Sequence, residues 1–431
     1  MLNDRSNKDE TWQAQIPSKP VNQEIDPESV MKRTPKRGWN ARSHSPRANA
    51  SAIGAYRNVM SAAVAGHHRQ QTTLSASQKP SASNQTFCNW LIGGIIPNND
   101  IISDMGQKRQ VFFNCDENYL TPLKVMSYSL FKNADPTKPL TLYIATSDKF
   151  LELGYDRVIR DLLAEFTFGK VVFLNAERSL AKFQSVIGSE LNVWSPVMWS
   201  GSLITEVLPP EATGNVVYLD VDMLVRKDLT PLFELDLESG NYLMAAVNEI
   251  TRKKYAYLEK SGWPKEAGPY FNYGTMVINT DAWRRENTVG KILDWYGAHR
   301  DTMFLNQDSQ NVICGARTLR IHPKWNLFDN WLQRSIRMNP FASVWRVHRK
   351  REIIEGLLDP AVIHFVGREK PWEFCRRPTR RYYHAVMKEL GLYDAKLAEG
   401  STFGQKAKLA FFDAYHAFLR AYIRLLLRIS R

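Results

Sequence analysis

The segment VVYLDVDMLV, residues 216–225, predicts a buried strand that carries two carboxylates at its end. Its apolar residues form a run that is typical of a core strand in a parallel sheet. Burying one unpaired carboxylate there would be costly, and Asp220 and Asp222 would also repel each other. The pair therefore needs a cation, solvent or a change of chain direction.

Strand and helix patterns alternate along the chain from Arg109 onward. Strands are predicted in QVFFNCDENY, LTLYIAT, KVVFLN, NVVYLDVD, YLMAAVNE and YFNYGTMVIN, and helices in LTPLKVMSYSLFKNAD and LITEVLPP. Such alternation predicts an α/β fold with a mostly parallel sheet, whose ligands bind at the carboxyl ends of the strands. Asp116 and Asp220 fall at such ends, so we expect them at the edge of a site.

The composition limits the classes of protein that the chain can be. Of its 431 residues 44% are hydrophobic, which is enough for a sizeable core, and the net charge of +13 indicates an anionic partner. The four cysteines form no CxxC pair, which argues against a zinc module or a disulfide framework and favours a reducing compartment. The sequence has no helix-turn-helix signature, RNA-recognition motif or zinc finger, so nucleic-acid binding is not expected.

Neither a membrane span nor a secretion signal is predicted. The most apolar early segment, NWLIGGIIP at residues 89–97, is too short to cross a bilayer and too far from Met1 to be a signal peptide. We therefore expect a cytoplasmic protein, either free or peripheral on the inner face of the cytoplasmic membrane.

Three regions differ in composition. Residues 1–107 are rich in Pro, Ser, Asn, Gln and Arg without a sustained apolar period, which predicts a disordered basic and polar extension. Residues 108–375 carry the strand and helix patterns and are predicted to form the catalytic domain. Residues 376–431 are predicted to be a basic helical region.

Asp220 and Asp222 have the spacing of a DxD pair. Residues i and i+2 of an extended chain point to one side, so both carboxylates can face one ion while Val221 points into the core. Their oxygens suit a hard divalent cation such as Mn²⁺ or Mg²⁺ and leave positions open for phosphate oxygens. An EF-hand loop is excluded, because residues 223–225 are apolar and no glycine stands at the sixth position. A DxD pair alone is weak evidence for a metal site.

Four further motifs accompany the pair, and their order along the chain is informative. They are FFNCDENY (112–119), YFNYGTMVINTDAW (270–283), LNQDSQN (305–311) and VIHFVGREKPW (362–372). Together they resemble the glycosyltransferase family 8 pattern, whose members look like bacterial galactosyl- and glucosyltransferases. The resemblance implies the glycosyltransferase A fold, with a Rossmann-like, mostly parallel mixed sheet flanked by helices, and a metal cofactor, Mn²⁺ or Mg²⁺.

Site residues follow from the same resemblance. It implies that the metal is held by Asp220, Asp222 and His364. It implies a donor site made of Asn114, Asp116, Asn118, Tyr119, Asn272, Gln307, Gly367 and Lys370. Within this set the first three would contact uracil and ribose, Tyr119 would stack on the base, and Asn272 and Gln307 would bind the sugar. An isolated histidine such as His364 is more often a core residue, but Gly367 and Lys370 in the same motif favour a site.

The implied reaction is transfer of a hexose from a UDP-sugar to a hydroxyl of a saccharide or lipid-linked glycan, with retention at the anomeric carbon. The metal and Lys370 would stabilise the departing UDP. Gln307 would be a polar neighbour of the anomeric centre and not a covalent catalyst, and Asn306 lies beside it in the catalytic motif.

Three positions depart from the family pattern. Gly201 stands where the family usually has an Arg, Asn306 stands in place of an Asp, and Asn248 with Glu249 occupies the acceptor side, where an Asp is common. Altered sugar preference and reduced activity are both compatible with these changes. A catalytically weak protein that binds a sugar nucleotide or a glycan is therefore the alternative function.

The last residues predict an amphipathic helix. A narrow polar stripe recurs at spacings of three and four, and apolar residues cover most of the rest; the stripe comprises Asp413, His416, Arg420, Arg424, Arg428 and Arg431. A wide apolar face edged by arginine suits an anionic membrane surface. The alternative is a helix that docks on the domain with its arginines in solvent.

Overall fold

The computed structural model describes residues 108–188, 196–249, 264–300, 302, 304–328, 348–400 and 402–429. The strands described there are β1 Arg109–Cys115, β2 Leu140–Thr146, β3 Gly169–Asn175, β4 Asn215–Leu219, β5 Met223–Val225, β6 Met244–Asn248, β7 Phe271–Asn279, β8 Thr318–Arg320, β9 Leu327–Phe328 and β10 Val362–His364. The helices are α1 Leu120–Asn133, α2 Asp148–Glu152, α3 Tyr155–Leu163, α4 Ala176–Leu180, α5 Gln184–Ile187, α6 Ile204–Val207, α7 Thr230–Phe233, α8 Thr280–Arg285, α9 Thr288–Ala298, α10 Leu305–Cys314, α11 Lys350–Leu358, α12 Arg380–Glu389, α13 Ala395–Glu399 and α14 Phe403–Ile429. The disorder predicted for residues 1–107 lies outside the described residues.

The main sheet has seven strands in the order β3-β2-β1-β4-β7-β6-β8. Neighbouring strands are parallel from β3 to β4 and between β6 and β8, while β7 runs antiparallel to both of its neighbours. This arrangement confirms the predicted α/β fold with a mostly parallel mixed sheet. Because β1 and β4 are parallel neighbours, Asp116 and Asp220 leave the sheet at the same edge.

Both faces of the main sheet are buried, and alternate residues of a strand face different cores. In β1, Val111 and Phe113 belong to one core and Phe112 to the other, and β4 separates Val217 from Tyr218 in the same way. A strand buried on both faces has no polar alternation, which explains the continuous apolar runs in the sequence.

The opening segment, residues 216–225, is divided between two sheets. Strand β4 ends at Leu219, the chain turns at Val221 and Asp222, and β5 begins at Met223 within a second sheet of order β5-β10-β9. Strand β4 thus ends just before the carboxylates, as predicted, and a change of chain direction follows; only the extended conformation assumed for residues 220–222 is wrong. An apolar run reports burial and not the sheet that a strand joins, and the turn keeps the carboxylates out of a buried strand ladder.

Helix α14 docks on the domain through its polar stripe. Asp413 accepts hydrogen bonds of 3.0 and 2.7 Å from the buried guanidinium of Arg380. Arg420 donates to two carbonyl oxygens at the end of α11, and His416 is fully buried. The helix therefore docks on the domain, as the second alternative predicted. That alternative also placed the arginines in solvent, which is wrong for Arg420.

The opposite face of α14 is apolar and exposed. Phe411 and Phe418 are each 67% exposed, and Leu425 is 54% exposed. Exposed alanines alternate with them at spacings of three and four, so that all lie on one side of the helix. We call this set the outer stripe; it comprises Ala407, Phe411, Ala414, Phe418, Ala421 and Leu425. Among the described residues, no helix is both long enough and apolar enough to cross a membrane.

Candidate functional site

Three side chains that could hold a metal ion converge where the two sheets meet. Asp220 follows β4, Asp222 precedes β5 and His364 ends β10, and one ligand atom from each lies within 4.8 Å of the others. The Nε2 atom of His364 is 3.2 Å from Oδ1 of Asp222 and 3.7 Å from Oδ2 of Asp220. The carboxylates are partly open to solvent, while the imidazole is buried. The structure thus brings together the three residues predicted as metal ligands.

Gly274 in β7 allows the imidazole of His364 to reach this position. A Cβ atom at Gly274 would lie 2.4 Å from Cε1 of His364, 2.5 Å from its Nδ1 and 2.6 Å from Cε of Met223. Any larger residue would have to displace the ring or the strand in a closely packed interior. The position therefore requires a glycine.

A row of amide side chains fixes the hydrogen of His364. Asn272 accepts from the backbone N–H of Gly274 at 2.9 Å and donates to Glu249 at 3.1 Å, so the orientation of its amide is set by an unambiguous donor and acceptor. Asn326 donates to the same oxygen of Asn272 at 2.8 Å, which leaves its own Oδ1 2.9 Å from Nδ1 of His364. Because that oxygen can only accept, His364 donates from Nδ1, and Nε2 is the ring nitrogen that faces the aspartates.

Tyr218 supports Asp220 from the other side. Its hydroxyl lies 2.7 Å from Oδ1 of Asp220 and 3.1 Å from Oδ1 of Asn114. A single hydroxyl hydrogen serves one oxygen at a time, and the charged carboxylate is the stronger acceptor. Donation to Oδ1 leaves Oδ2 of Asp220 facing His364.

This donor set fits a divalent cation. Two carboxylates directed at one point repel each other unless a positive charge lies between them. Oxygen ligands with one nitrogen suit Mn²⁺ or Mg²⁺, and outer partners of the kind seen here orient metal ligands. Those partners are Tyr218 for Asp220, Asn326 for His364 and Lys370 for Asp222.

The pKa values of the two carboxylates shift in opposite directions. Burial alone would raise the pKa of Asp222, but His364 and Lys370 interact with it and hold that pKa well below its ordinary value. Burial raises the pKa of Asp220; His364 offsets part of this effect, and the charge of Asp222 adds to it. Asp222 therefore keeps its negative charge more readily than Asp220 does. A bound cation would relieve the repulsion between the two carboxylates.

Lys370 lies against the cluster. Its ammonium donates to Oδ2 of Asp222 at 2.5 Å and to the carbonyl oxygen of Phe365 at 2.9 Å, and it lies 5.7 Å from the ring centre of Trp372. Between β10 and Lys370 the chain passes through Gly367, whose φ of +91° favours glycine. This turn returns the chain so that Lys370 covers Asp222.

The residues predicted to bind the nucleotide lie at and after the end of β1. Asp116 caps the short turn that follows by accepting from the backbone N–H of Asn118 at 3.0 Å. Asn118 and Tyr119 are exposed, and the ring of Tyr119 lies 6.2 Å from that of Trp372 in an edge-to-face arrangement. Asn114 is half-buried and donates to the backbone carbonyl oxygen of Val197 at 3.2 Å. Their contacts with uracil and ribose stay predictions.

Gln307 and Asn272, predicted to bind the donor sugar, lie on neighbouring elements: Gln307 in α10 contacts the chain segment that carries Asn272 in β7. Gln307 donates to the hydroxyl of Tyr270 at 2.8 Å and accepts from the backbone N–H of Tyr273, the residue after Asn272, at 3.3 Å. Tyr270 in turn donates to Asp308 at 2.6 Å. The protein thus holds both amides in fixed orientations, and their contact with a sugar stays a prediction.

Gly201 and Asn306, which depart from the family pattern, meet at one tyrosine. A Cβ atom at Gly201 would lie 2.2 Å from the hydroxyl of Tyr273 and 2.5 Å from Cε2 of Tyr218. Burial raises the pKa of Tyr273, and hydrogen bonds with Ser202 and Asn306 offset part of that rise. Neutral tyrosine hydroxyls therefore occupy the space that a longer side chain at position 201 would need.

Asn248 and Glu249, predicted on the acceptor side, are both buried. The carbonyl oxygen of Asn248 lies 3.2 Å from Nε2 of His348, and Glu249 accepts from Asn272. Glu249 is therefore connected to His364 through the amide row. Its contact with an acceptor stays a prediction.

Gly201→Ala is expected to lower the free energy of unfolding by about 1–3 kcal/mol, the usual cost of overfilling a packed interior. The added methyl group would meet the Tyr273 hydroxyl and the Tyr218 ring, neither of which can move freely in a buried position. Urea denaturation measures the change. The matched control is Gly297→Ala in α9, where the nearest atom is 4.0 Å away and the helix propensity of alanine favours folding. Equal stability of the two variants would contradict the predicted clash.

Sequence reasoning missed three supporting residues, namely Tyr218, Gly274 and Asn326. Tyr218 stands in an apolar strand, where its position predicts core, and Asn326 stands outside every predicted element. Gly274 could have been found, because a glycine inside a predicted strand often marks a close approach of another group.

Comparison with known proteins gives one family. The model of glycosyl transferase family 8 matches residues 110–375. The chain is 27% identical to General stress protein A of Bacillus subtilis over 277 residues, which are 62% of this chain and 90% of that protein. It is also 27% identical to a putative glycosyltransferase of Haemophilus influenzae over 224 residues, 51% of this chain and 63% of that one.

Two solved structures share the fold. The bifunctional glycosyltransferase WbbM matches with a TM-score of 0.55 and 19% identity over 70% of this chain and 53% of WbbM. Galactosyltransferase LgtC, solved with donor and acceptor sugar analogues, matches with a TM-score of 0.50 and 20% identity over 69% of this chain and 99% of LgtC. Both likenesses support the glycosyltransferase A fold.

Proposed function

The chain belongs to glycosyl transferase family 8, and on that premise we propose that it moves a hexose from a UDP-sugar to a hydroxyl of a saccharide or lipid-linked glycan. The proposed reaction depends on a divalent cation, Mn²⁺ or Mg²⁺, and retains the configuration of the anomeric carbon. One observation carries the proposal: Asp220, Asp222 and His364 converge at the sheet edge, with Lys370 against Asp222.

The residues around the cluster suit the departure of a diphosphate. The ion, when bound, would draw negative charge away from the diphosphate oxygens. Lys370 carries a compact charge on a flexible stem, so that it can turn from Asp222 to a phosphate oxygen. Gly367 has no side chain, so a phosphate oxygen could approach its backbone closely. His364, which donates from Nδ1 to Asn326, would bind the ion through Nε2.

The donor would lie between the end of β1 and the Lys370 turn. Tyr119, which is 38% exposed, offers a ring face for the uracil, with Trp372 beside it. Asn272 and Gln307 present fixed amides that can hydrogen-bond sugar hydroxyls, which is how a buried polar group discriminates between related sugars.

A catalytically weak protein that binds a sugar nucleotide or a glycan is the second candidate. Neutral tyrosines fill the space at Gly201, and Asn306 offers an amide where the family pattern has a carboxylate. These changes leave the metal ligands and Lys370 in place, so we favour the enzyme.

Binding and slow hydrolysis of several UDP-sugars, with and without Mn²⁺, test the proposal. The panel would contain UDP-glucose, UDP-galactose, their N-acetyl derivatives and UDP-xylose. We expect one of them to bind and to be hydrolysed only with the metal, which would also identify the donor. Metal-dependent binding without turnover, even with saccharide acceptors, would favour the binding protein. If no UDP-sugar binds under any condition, the transferase proposal is wrong, and glycan binding is what is left of the second candidate.

We further propose that α14 attaches the protein to an anionic membrane surface, on the cytoplasmic leaflet where UDP-sugars and lipid-linked acceptors meet. The outer stripe points away from the domain, and exposed Lys408 and Arg424 lie on the same helix. Aromatic and apolar side chains edged by basic residues are typical of helices that lie in the membrane interface.

Phe411→Ser with Phe418→Ser is expected to lower binding to anionic vesicles at least about tenfold, because each exposed Phe loses the free energy of burial in the interface. Vesicle sedimentation measures this. The matched control is Leu153→Ser, since Leu153 is also exposed, at 45%, but lies between α2 and α3. Unchanged vesicle binding by the Phe variant would contradict the proposed attachment.

A further inference from the structure

A cavity of about 480 Å³ lies between α12 and α14, and Tyr393 and Glu399 from the segment that connects these helices also line it. Its charged lining residues are Arg380, Arg381, Lys388, Glu399, Lys406 and Asp413. None of these residues belongs to the metal cluster or to the predicted donor site. We call this cavity the basic pocket.

The basic pocket carries an excess of positive charge. Arg380 is neutralised by Asp413, which accepts from both of its terminal nitrogens. Arg381, Lys388 and Lys406 form no ion pair within the part of the chain that the structure describes, so they face Glu399 as the one remaining carboxylate. Three cations around one carboxylate leave a site that attracts an anion.

The cations lie on two walls of the pocket. Arg381 and Lys388 are seven residues apart on α12, which places them on one side of the helix two turns apart. The ammonium of Lys388 lies 4.4 Å from the ring centre of Tyr393, whose hydroxyl donates to Glu399 at 2.7 Å. Lys406 comes from α14 across the cavity. An anion between the two walls would therefore be contacted from both sides.

The pocket opens beside the outer stripe of α14. Leu409 and Ala410 line it on the α14 side, and Ala410 is exposed. Ala410 follows Ala407 by three residues and precedes Ala414 by four, so it adjoins two members of the outer stripe. A molecule with an anionic head in the pocket could therefore extend an apolar tail along the stripe.

We propose that the basic pocket binds the phosphate of an anionic phospholipid headgroup while the acyl chains contact the outer stripe. This inference rests on the membrane attachment proposed above and adds a specific headgroup site to it. A soluble phosphate ester has the same head chemistry, and the adjoining apolar stripe favours the lipid.

Vesicles of phosphatidylcholine alone, or with phosphatidylglycerol, test the inference on the full chain. Arg381→Gln with Lys388→Gln is expected to lower the affinity for phosphatidylglycerol vesicles at least about tenfold, since each basic residue at an anionic surface contributes measurably. The matched control is Arg157→Gln with Lys170→Gln, which removes two exposed charges elsewhere. A net-charge effect would weaken both variants equally, and that result would overturn the pocket.

Soluble glycerol phosphate separates the two sources of phosphate. We expect it to compete weakly with phosphatidylglycerol vesicles for the wild type and not for the pocket variant. The contrary result is that glycerol phosphate binds the wild type tightly without vesicles, while the pocket variant binds vesicles as well as the wild type does. In that case the ligand is a soluble ester and the lipid assignment is wrong.

These experiments distinguish failure of the pocket from failure of the transferase. If the wild type binds no vesicle, the attachment and the pocket inference both fail; if it binds both vesicle types equally, the pocket inference fails together with the preference for an anionic surface. UDP-sugar hydrolysis by the same preparations reports the transferase independently, and urea unfolding shows that each variant is folded.

Discussion

Asp222→Asn is expected to lower the affinity for Mn²⁺ at least about 100-fold, which exceeds the 10–100-fold loss typical when a residue that only supports a ligand is removed. The amide has nearly the shape of the carboxylate but no charge, so the ion loses an anionic oxygen. Asp222 is also the member of the pair whose pKa is held low, by His364 and Lys370 against the effect of burial. It therefore supplies a full charge at every ordinary pH.

Manganese electron paramagnetic resonance measures this affinity directly, and UDP-sugar hydrolysis measures its consequence. The matched control is Asp359→Asn, in which another aspartate loses its charge and its lysine partner at the surface. Retention of Mn²⁺ binding by Asp222→Asn would show that the cluster is not the metal site. The two strand-end aspartates would then be structural, and the transferase proposal would lose its main support.

Asn326→Leu is expected to weaken Mn²⁺ binding about 10–100-fold, the usual effect of removing a partner that orients a metal-bound histidine. Asn326 does not face the ion; it accepts from Nδ1 of His364 at 2.9 Å and so leaves Nε2 free to bind. A leucine of similar size cannot accept, and the ring could then protonate Nε2 or rotate. Asn326→Asp keeps the acceptor, so it should retain more affinity than Asn326→Leu.

The control must separate this effect from a general loss of stability. Asn215→Leu removes another buried asparagine with two hydrogen bonds, at the opposite end of β4 from Asp220. We expect it to lower the free energy of unfolding while leaving Mn²⁺ affinity unchanged. If Asn326→Leu behaves in the same way, the amide row serves folding and does not position His364.

The sequence predicts the sheet and the metal ligands by different means. Strands such as β1 and β4 follow from apolar runs bounded by polar residues, because burial on both faces leaves its mark in every residue. Asp222 and His364 are far apart in the chain. Their meeting at one metal site was predicted from the family resemblance, because no local pattern indicates it. The turn at Val221 was one of three possibilities that the sequence left open, since an apolar run continues on both sides of it.

Contacts between side chains are the part that the sequence does not predict. Gly201 is noticeable as a departure from a pattern, but only the structure places the Tyr273 hydroxyl in its space. Likewise, the amphipathic pattern of α14 predicts two faces without saying which one docks. The polar face docks because Asp413 and Arg420 find buried partners, and those partners lie elsewhere in the chain.

The position of the metal ligands at a junction has a consequence for variation in this protein. Asp220 extends from the main sheet, whereas His364 belongs to the small sheet, so their separation is set by how two apolar layers pack rather than by one backbone. Metal sites tolerate errors of only about 0.2 Å in ligand distance. Replacements of interior residues such as Val362 in β10 could therefore change the ligand distances without replacing a ligand. Divergence of activity among related chains need not begin at the ligands.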